Sequence, residues 1–309
     1  MIAPDVSQFR GVKSDDNPLV AFFGRIAVHF VRYSVKIGVI TDKGFAMTSA
    51  DRRAPTAYRD DPKNWVAGLE KGLAIFDVFD AEHSRFTATE IAKLCGLSRT
   101  AARRYLNTLI GLGFFSTDGK LYWLTPKIMR LGSAYLESAR LPRLVQPALQ
   151  SLAASTQEIS YVSILDGHDV VYIARNGSNR SMNTGFVLGA RIPAHTTAAG
   201  QLLLALQGNE AIDAWLASKP LHTYTPFTLT NPDQMRAHLQ GLRRQDWAVS
   251  EQQFDLAYRG VAVPLRDNRG QVLAALNISM PMGNESTEHA VGRVLPQMQE
   301  TAQRLRQLL

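Results

Sequence analysis

The chain has 309 residues, 45% of them hydrophobic and 20% charged, which suits a folded protein with room for two domains. No run reaches the roughly 18 clean apolar residues of a membrane span, and no compact apolar core with a small-residue cleavage site marks a secretory leader. The single cysteine, Cys95, excludes an internal disulfide and a cysteine-bound metal cluster, and it favours a reducing cytosol. The net charge of +7 is unevenly spread: residues 62–140 carry 11 basic and 7 acidic side chains, against 14 and 13 over residues 141–309. A basic segment beside a nearly neutral one suits a DNA-facing module attached to a second domain.

Residues 1–63 read as an extension without a clear fold. Val20–Ile40 is apolar in places but interrupted by Arg25, His29, Arg32 and Lys36, and the polar segment 48–63 holds two prolines, as linkers do. Met47 could serve as a second initiation site. After Asp61-Pro62, the spacing of Trp65, Leu69, Leu73, Phe76 and Phe79 predicts a helix.

The stretch from Phe86 to Leu124 is the most informative. Thr87 with Glu90 three residues on is a capping-box signature for a helix start. Cys95-Gly96-Leu97 ends that helix, and Ser98 caps the next. On the wheel of this second helix, Ala102, Tyr105, Leu106, Leu109 and Leu112 share one face. Thr100, Arg103, Arg104 and Asn107 share the opposite face, with Arg99 at its edge. Asp118-Gly119 supplies a two-residue hairpin turn, with Lys120 beside it. Taken alone, Arg99, Arg103 and Arg104 are equally a solvated face. The ordered succession of capped helix, sharp turn, basic helix and hairpin is the reading of a winged helix-turn-helix over residues 64–125, with double-stranded DNA as the partner. Ser98, Arg99, Thr100, Arg103, Arg104, Asn107 and Lys120 are its candidate DNA contacts.

Thr125-Pro126 starts a further helix to Ala139, bearing Ile128, Leu131, Tyr135 and Leu136 and closed by Leu141-Pro142. It is the linker, residues 126–141. From residue 142 the pattern is mixed. A helix over Pro147–Thr156 precedes strands Ser160–Leu165 and Val170–Arg175, divided by Asp166-Gly167. A glycine-bearing loop within residues 182–206 runs into an apolar helix. Helices Asn209–Ser218 and Asn231–Gln245, strands Trp247–Glu251, Gly260–Leu265 and Val272–Ser279, and a closing helix Glu288–Leu308 complete an α+β domain with an antiparallel sheet, residues 142–309.

Four ordered blocks carry a resemblance to a known family: the winged-helix segment, LTPKIMRLGSAYL at 124–136, LGARIPAHTTAAGQLLLAL at 188–206 and RGVAVPLRDNRGQVLAALNISMP at 259–281. With these the chain resembles the IclR family of bacterial transcriptional regulators over about residues 65–309. The last block looks most like the branch controlling protocatechuate, 4-hydroxybenzoate and related aromatic-acid catabolism. The resemblance implies a homodimer or homotetramer with a GAF/PAS-like C-terminal effector domain for a small organic acid. It implies effector contacts in the loop Ala194–Gly200, around Glu251–Val261, and on the strand bearing Asn277 and Ser279. Some relatives that bind small keto-acids have cysteine where Val261 stands, and serine often occupies the place of Asn277. Both differences suit a larger, flatter ligand.

A carboxylate needs oriented donors. Thr196 and Thr197 precede the apolar helix that begins at Ala198, so their amides and hydroxyls are candidates, against simple N-capping by one threonine. Asn277 and Ser279 alternate with apolar residues and share a strand face, either solvated or turned inward to a partner. His195 could donate or be structural, and Arg175 and Arg191 could pair with a carboxylate or lie on the surface. No cofactor is implied. Two other classes remain: an enzyme acting on a small acid, although the chain lacks a phosphate loop, a nucleophile elbow and a His-Glu-x-x-His pair, and an architectural DNA binder without an effector.

Overall fold

In the computed structural model, residues 65–80, 83–176 and 187–309 are described. The extension 1–63, with Met47, and residues 182–186 of the expected loop lie outside them. Two compact units divide between Lys127 and Ile128.

The first unit runs α1 (Ala67–Ala74), a 3-10 turn at Phe76–Val78, β1 (Phe86–Thr87), α2 (Ala88–Leu94), α3 (Arg99–Gly111), β2 (Phe115–Thr117) and β3 (Leu121–Leu124). Its three strands form an antiparallel sheet in the order β1-β3-β2. Thr87 and Glu90 make the predicted capping box: the Thr87 hydroxyl accepts from the Glu90 amide, and the Glu90 carboxylate accepts from the Thr87 amide at 2.7 Å. That backbone bond, with the Thr87 hydroxyl, holds the Glu90 carboxyl below its ordinary range.

Helix α2 ends in a Schellman turn. Gly96 takes φ +63°, its N–H donates to Lys93 O, and the Leu97 N–H donates to Ala92 O. The same closure ends α3, where Gly113 takes φ +79°, its N–H donates to Ile110 O and the Phe114 N–H donates to Leu109 O. Each turn reverses the chain within three residues, and a glycine stands at the left-handed position of each.

Ile75, Phe86, Ile91, Leu106, Leu109, Phe115 and Tyr122 fill the core of this unit. Two expectations are corrected here. Leu69 and Leu73 are exposed, whereas Phe76 and Phe79 pack against the core as expected; α1 stops at Ala74, and the tighter 3-10 turn that follows shifts the phase and adds Ile75 to the buried side. Leu112 is also exposed, since it is the C-cap residue where the chain leaves the helix. The hairpin differs by one residue from expectation: Asp118–Lys120 connect the strands, with Gly119 at φ +94°. The Asp118 carboxylate accepts from the amides of Lys120 (2.9 Å) and Leu121 (2.8 Å), which puts Lys120 in the tip itself.

The second unit follows a 3-10 turn at Pro126–Ile128. It comprises α4 (Met129–Ser138), α5 (Arg140–Thr156), β4 (Ile159–Asp166), β5 (Asp169–Asn176), β6 (Arg191–Pro193), α6 (Ala198–Ala205), α7 (Asn209–Ser218), α8 (Pro232–Gln245), β7 (Ala248–Glu251), β8 (Tyr258–Arg266), β9 (Val272–Pro281) and α9 (Thr287–Arg306). All six strands pair antiparallel in the order β6-β5-β4-β9-β8-β7. One face packs against α6, α7 and α8, the other against α5 and α9.

The expected linker helix is a 3-10 turn followed by α4, which ends at Ala139. Pro142 does not close it. Ala139 is extended (φ −70°, ψ 127°), and Pro142 falls in the first turn of α5, where a missing N–H costs nothing. Pro147 lies inside α5 rather than at a helix start. The short strand β6 was not anticipated. It ends on Pro193 at the edge of the sheet, where its outer side needs no donor. Among the described residues no helix is long and apolar enough to cross a membrane, and no group of three side chains could hold a metal ion.

Candidate functional site

In the first unit the outer side of α3 presents Arg99, Thr100, Arg103, Arg104 and Asn107, all exposed. Among the described residues no carboxylate pairs with the three arginines. The opposite side anchors the helix through Ala102, Leu106 and Leu109, so the guanidiniums are held outward by burial of their neighbours. Ser98 is exposed but its hydroxyl accepts from the Ala101 amide at 3.2 Å, so its lone pair serves the cap and its O–H remains to donate. Lys120 stands at the hairpin tip. Arg85 was not picked out in the sequence: it is exposed beside the same hairpin, its guanidinium 4.3 Å from the Trp123 ring centroid. A lone arginine ahead of a two-residue strand carries no periodic signal. Lys127 is also basic, but its Nζ donates to Leu112 O at 2.7 Å and closes the end of α3.

In the second unit a pocket that opens to solvent lies between the start of α6, the loop after β7 and the inner face of β5, β8 and β9. Thr196, Thr197, Ala198, Asn277 and Ser279 from the sequence reading line it. Asn277 is 5% exposed and faces inward, which excludes the solvated alternative. Its Oδ1 accepts from the Ser163 hydroxyl at 2.8 Å, leaving the amide NH2 to the cavity. Only one of the two threonine hydroxyls has its proton committed elsewhere. Thr197 caps α6 by accepting from the Gly200 amide at 3.0 Å, and Thr196 donates to Pro193 O at 2.8 Å. The anion donors at this end are therefore the Thr197 O–H, which the cap leaves available, and the first-turn amides of Ala198 and Ala199, which have no intrahelical acceptor. Gly200 lets the helix start this close to the preceding turn, for an added Cβ would lie 2.3 Å from Ala194 O.

Five expected effector residues stand apart from the cavity lining. Val261 is buried on the far face with α5 and α9, because β8 alternates and Gly260 takes the inward position. Glu251 forms an ion pair with Arg259 and accepts from the Thr287 hydroxyl at 2.6 Å. His195 is buried beneath the α6 start, its Nε2 2.9 Å from His222 O, and burial lowers its pKa. Arg191 pairs with Asp166 (2.7 Å) and Asp169 (3.2 Å) at the β4–β5 hairpin. Arg175 lies 6.0 Å from the Tyr161 ring centroid, outside the lining.

The lining is completed by Tyr172 and Ser250, which the sequence reading missed, and by Gln253, Phe254, Asp255, Tyr258 and Gly260, which lie within the Glu251–Val261 segment that the resemblance implied without naming them singly. Tyr172 sits on the inner face of β5, and burial raises its phenol pKa, keeping it a neutral apolar wall with a hydroxyl. Gln253 and Phe254 belong to the loop after β7, where Gln252 takes φ +55° and the Thr228 hydroxyl donates to Gln253 O at 2.6 Å. Nothing in residue spacing reports that a loop folds back over a helix start. Arg259 also touches the cavity but is 3% exposed and satisfied by Glu251, Glu285 O and Ser286 O.

Comparison with known proteins covers both units. A profile described as the IclR helix-turn-helix domain matches residues 68–119, and one described as the bacterial transcriptional regulator IclR C-terminal matches residues 133–307. The "Pca operon regulatory protein" of Acinetobacter baylyi is 38% identical over 80% of this chain and 90% of its own. The "p-hydroxybenzoate hydroxylase transcriptional activator" of the same species is 36% identical over 80% and 93%. Among solved structures, a transcriptional regulator from Rhodococcus sp. RHA1 is 36% identical, with a TM-score of 0.66 over 78% of this chain and 97% of that one. The inducer-binding domain of a PobR double mutant from Acinetobacter, solved with 3-hydroxybenzoic acid, is 31% identical, with a TM-score of 0.53 over 55% and 100%. Both the reading head and the domain holding the cavity thus match one set of regulators, none of them named as an enzyme, and the chain belongs to the IclR family of bacterial transcriptional regulators.

Proposed function

We propose that the protein controls aromatic-acid catabolic genes by binding a hydroxylated benzoate-type acid in the second-unit cavity and a DNA operator through the first unit. One observation carries the ligand reading: the cavity joins the free amides at the α6 start to the inward NH2 of the buried Asn277, with Tyr172 and Phe254 among its walls. A flat aromatic acid meets each of these, its carboxylate on the donors and its ring against the aromatic walls. The 31% identical inducer-binding domain solved with 3-hydroxybenzoic acid agrees with that ligand class, and the 36% identical relative is named for p-hydroxybenzoate hydroxylase.

Residues 64–125 serve as the DNA-binding domain in this reading, 126–141 as the linker and 142–309 as the effector-binding and oligomerisation domain. Arg99, Thr100, Arg103, Arg104 and Asn107 enter the major groove, where arginine reads guanine. Ser98, Lys120 and Arg85 meet phosphates. The working form is a dimer or tetramer in the cytoplasm, since two reading heads are needed to recognise paired half-sites. Ligand binding shifts the equilibrium between arrangements of the assembly.

Thermal-shift titration of the full chain against benzoate, 4-hydroxybenzoate, protocatechuate and dicarboxylic acids tests the ligand. A rise in melting temperature with a hydroxylated benzoate, abolished in Gly260→Val, is expected. The Cβ of residue 260 would sit 3.7 Å from the Ala198 Cβ, in ordinary contact, so the larger side chain fills the cavity at modest cost to the fold. Stabilisation by dicarboxylic acids alone, or an unchanged response in Gly260→Val, would sink the reading.

A further inference from the structure

Gln201 is fully buried near the middle of α6, an otherwise apolar helix, and nothing in a simple packing role requires an amide there. Its contacts define it. The Nε2 lies 2.7 Å from His195 O and 2.8 Å from Gln253 Oε1, and its Oε1 lies 3.0 Å from His238 Nε2 on α8. A backbone carbonyl can only accept, so the Gln201 NH2 must face His195 O. Its second N–H then requires an acceptor at Gln253, which forces the Gln253 carbonyl oxygen inward. Gln253 lines the cavity and its Oε1 is committed to Gln201, so Nε2 is the terminal atom left over, and among the described residues it makes no hydrogen bond. Reversing the amide would set two NH2 groups against each other, with the loss of a buried hydrogen bond.

Asn277 shows the same polarity from the sheet side, with Oδ1 on Ser163 and Nδ2 free. The two side-chain amides of the cavity thus both offer donors. We propose that Gln253 is a specificity residue presenting its NH2 to an acceptor on the bound acid, and that Gln201 is the positioning residue fixing that orientation. The proposal rests on the reading of the cavity as the effector site. It goes further by assigning the sense of the hydrogen bond: the site selects a carboxylate over the isosteric carboxamide, because an amide ligand turns some of its own N–H groups toward donors that cannot accept them.

The experiment compares 4-hydroxybenzoate with 4-hydroxybenzamide by calorimetric titration of the full chain, in the wild type, Gln253→Glu and Gln201→Leu. Glutamate at 253 still accepts from Gln201 but replaces the NH2 by an anionic oxygen. Wild type should favour the acid, and Gln253→Glu should lose about tenfold or more for the acid while holding or gaining affinity for the amide. Gln201→Leu should narrow the acid-to-amide ratio, whereas a merely structural role would weaken both ligands equally. An equal loss for both probes in Gln253→Glu, or none, overturns the proposal.

A measurement without ligand keeps the relay testable if a variant fails to fold. In 15N spectra of the wild type, the Gln201 side-chain NH2 should be protected from water exchange and that of Gln253 should not. A protected Gln253 NH2 refutes the relay. If the wild type binds neither probe, or Gly260→Val binds both, the proposed ligand class fails, and the amide spectra decide the relay separately.

Discussion

Arg103 and Lys120 are both exposed cations of the winged helix, yet their settings assign them different work. Arg103 lies on a rigid helix whose other side is buried, so its planar fork can be aimed at a base edge. Lys120 sits at a hairpin tip with a flexible stem and acts as a point charge. Arg103→Ala should therefore cost about 1–3 kcal/mol of operator binding and relax preference at one base step, while Lys120→Ala should lower the salt slope by about 1 with preference kept. Footprints and salt titrations of the two variants check this, and an unchanged Arg103→Ala footprint counts against the placement. At the same scale, Gly200→Ala should destabilise the second unit, since the added methyl meets backbone at Ala194 and cannot move aside. A melting temperature equal to wild type would contradict that. Residue identity alone could name the arginines, but it could not tell that Arg191 is spent on Asp166 and Asp169, which approach it only once β6 pairs with β5 beside the β4–β5 hairpin.

At the scale of elements, sequence was informative wherever a local device sets a boundary. The capping box at Thr87, the Ser98 cap and the glycine at 96 are satisfied within a few residues, and the structure closes those ends as expected. Elements were less legible where a neighbour decides. Strand β6 exists because β5 offers an edge, and α1 is cut short where the 3-10 turn brings Ile75 and Phe76 to the core. Helix α4 leaves Met129, Leu131 and Tyr135 exposed, Leu131 by 53%, although the spacing predicted an apolar face. If that face meets a second copy, Leu131→Asp should shift the protein toward monomer in sedimentation analysis while leaving its helical content intact. An unchanged sedimentation coefficient would place the subunit contact elsewhere.

For the whole molecule, the histidines link stability to pH. Burial keeps the pKa values of both His195 and His238 below the ordinary 6.5, so the folded state holds them neutral where the unfolded chain would bind protons. The unfolded state then carries more protons as pH falls below about 6.5, and stability drops in that direction. The melting temperature should be level above that pH and fall toward pH 5, with part of the slope removed in His238→Gln. A melting curve independent of pH between 7 and 5 would refute the assignment.

Composition, helix periodicity, caps and turn residues by themselves determined that this is a two-part protein with a basic reading head and an antiparallel α+β domain, because those signals act over fewer than ten residues. Strand alternation put Asn277 and Ser279 on one face but left open which way that face looks. Only the tertiary structure decided which face of β8 looks into the cavity, that Gly260 rather than Val261 opens it, and that Gln253 folds over the α6 start. The reason is physical: a cavity is the space left when distant segments pack, and its lining is set by which side chains remain unpaired after the core and the ion pairs have taken theirs.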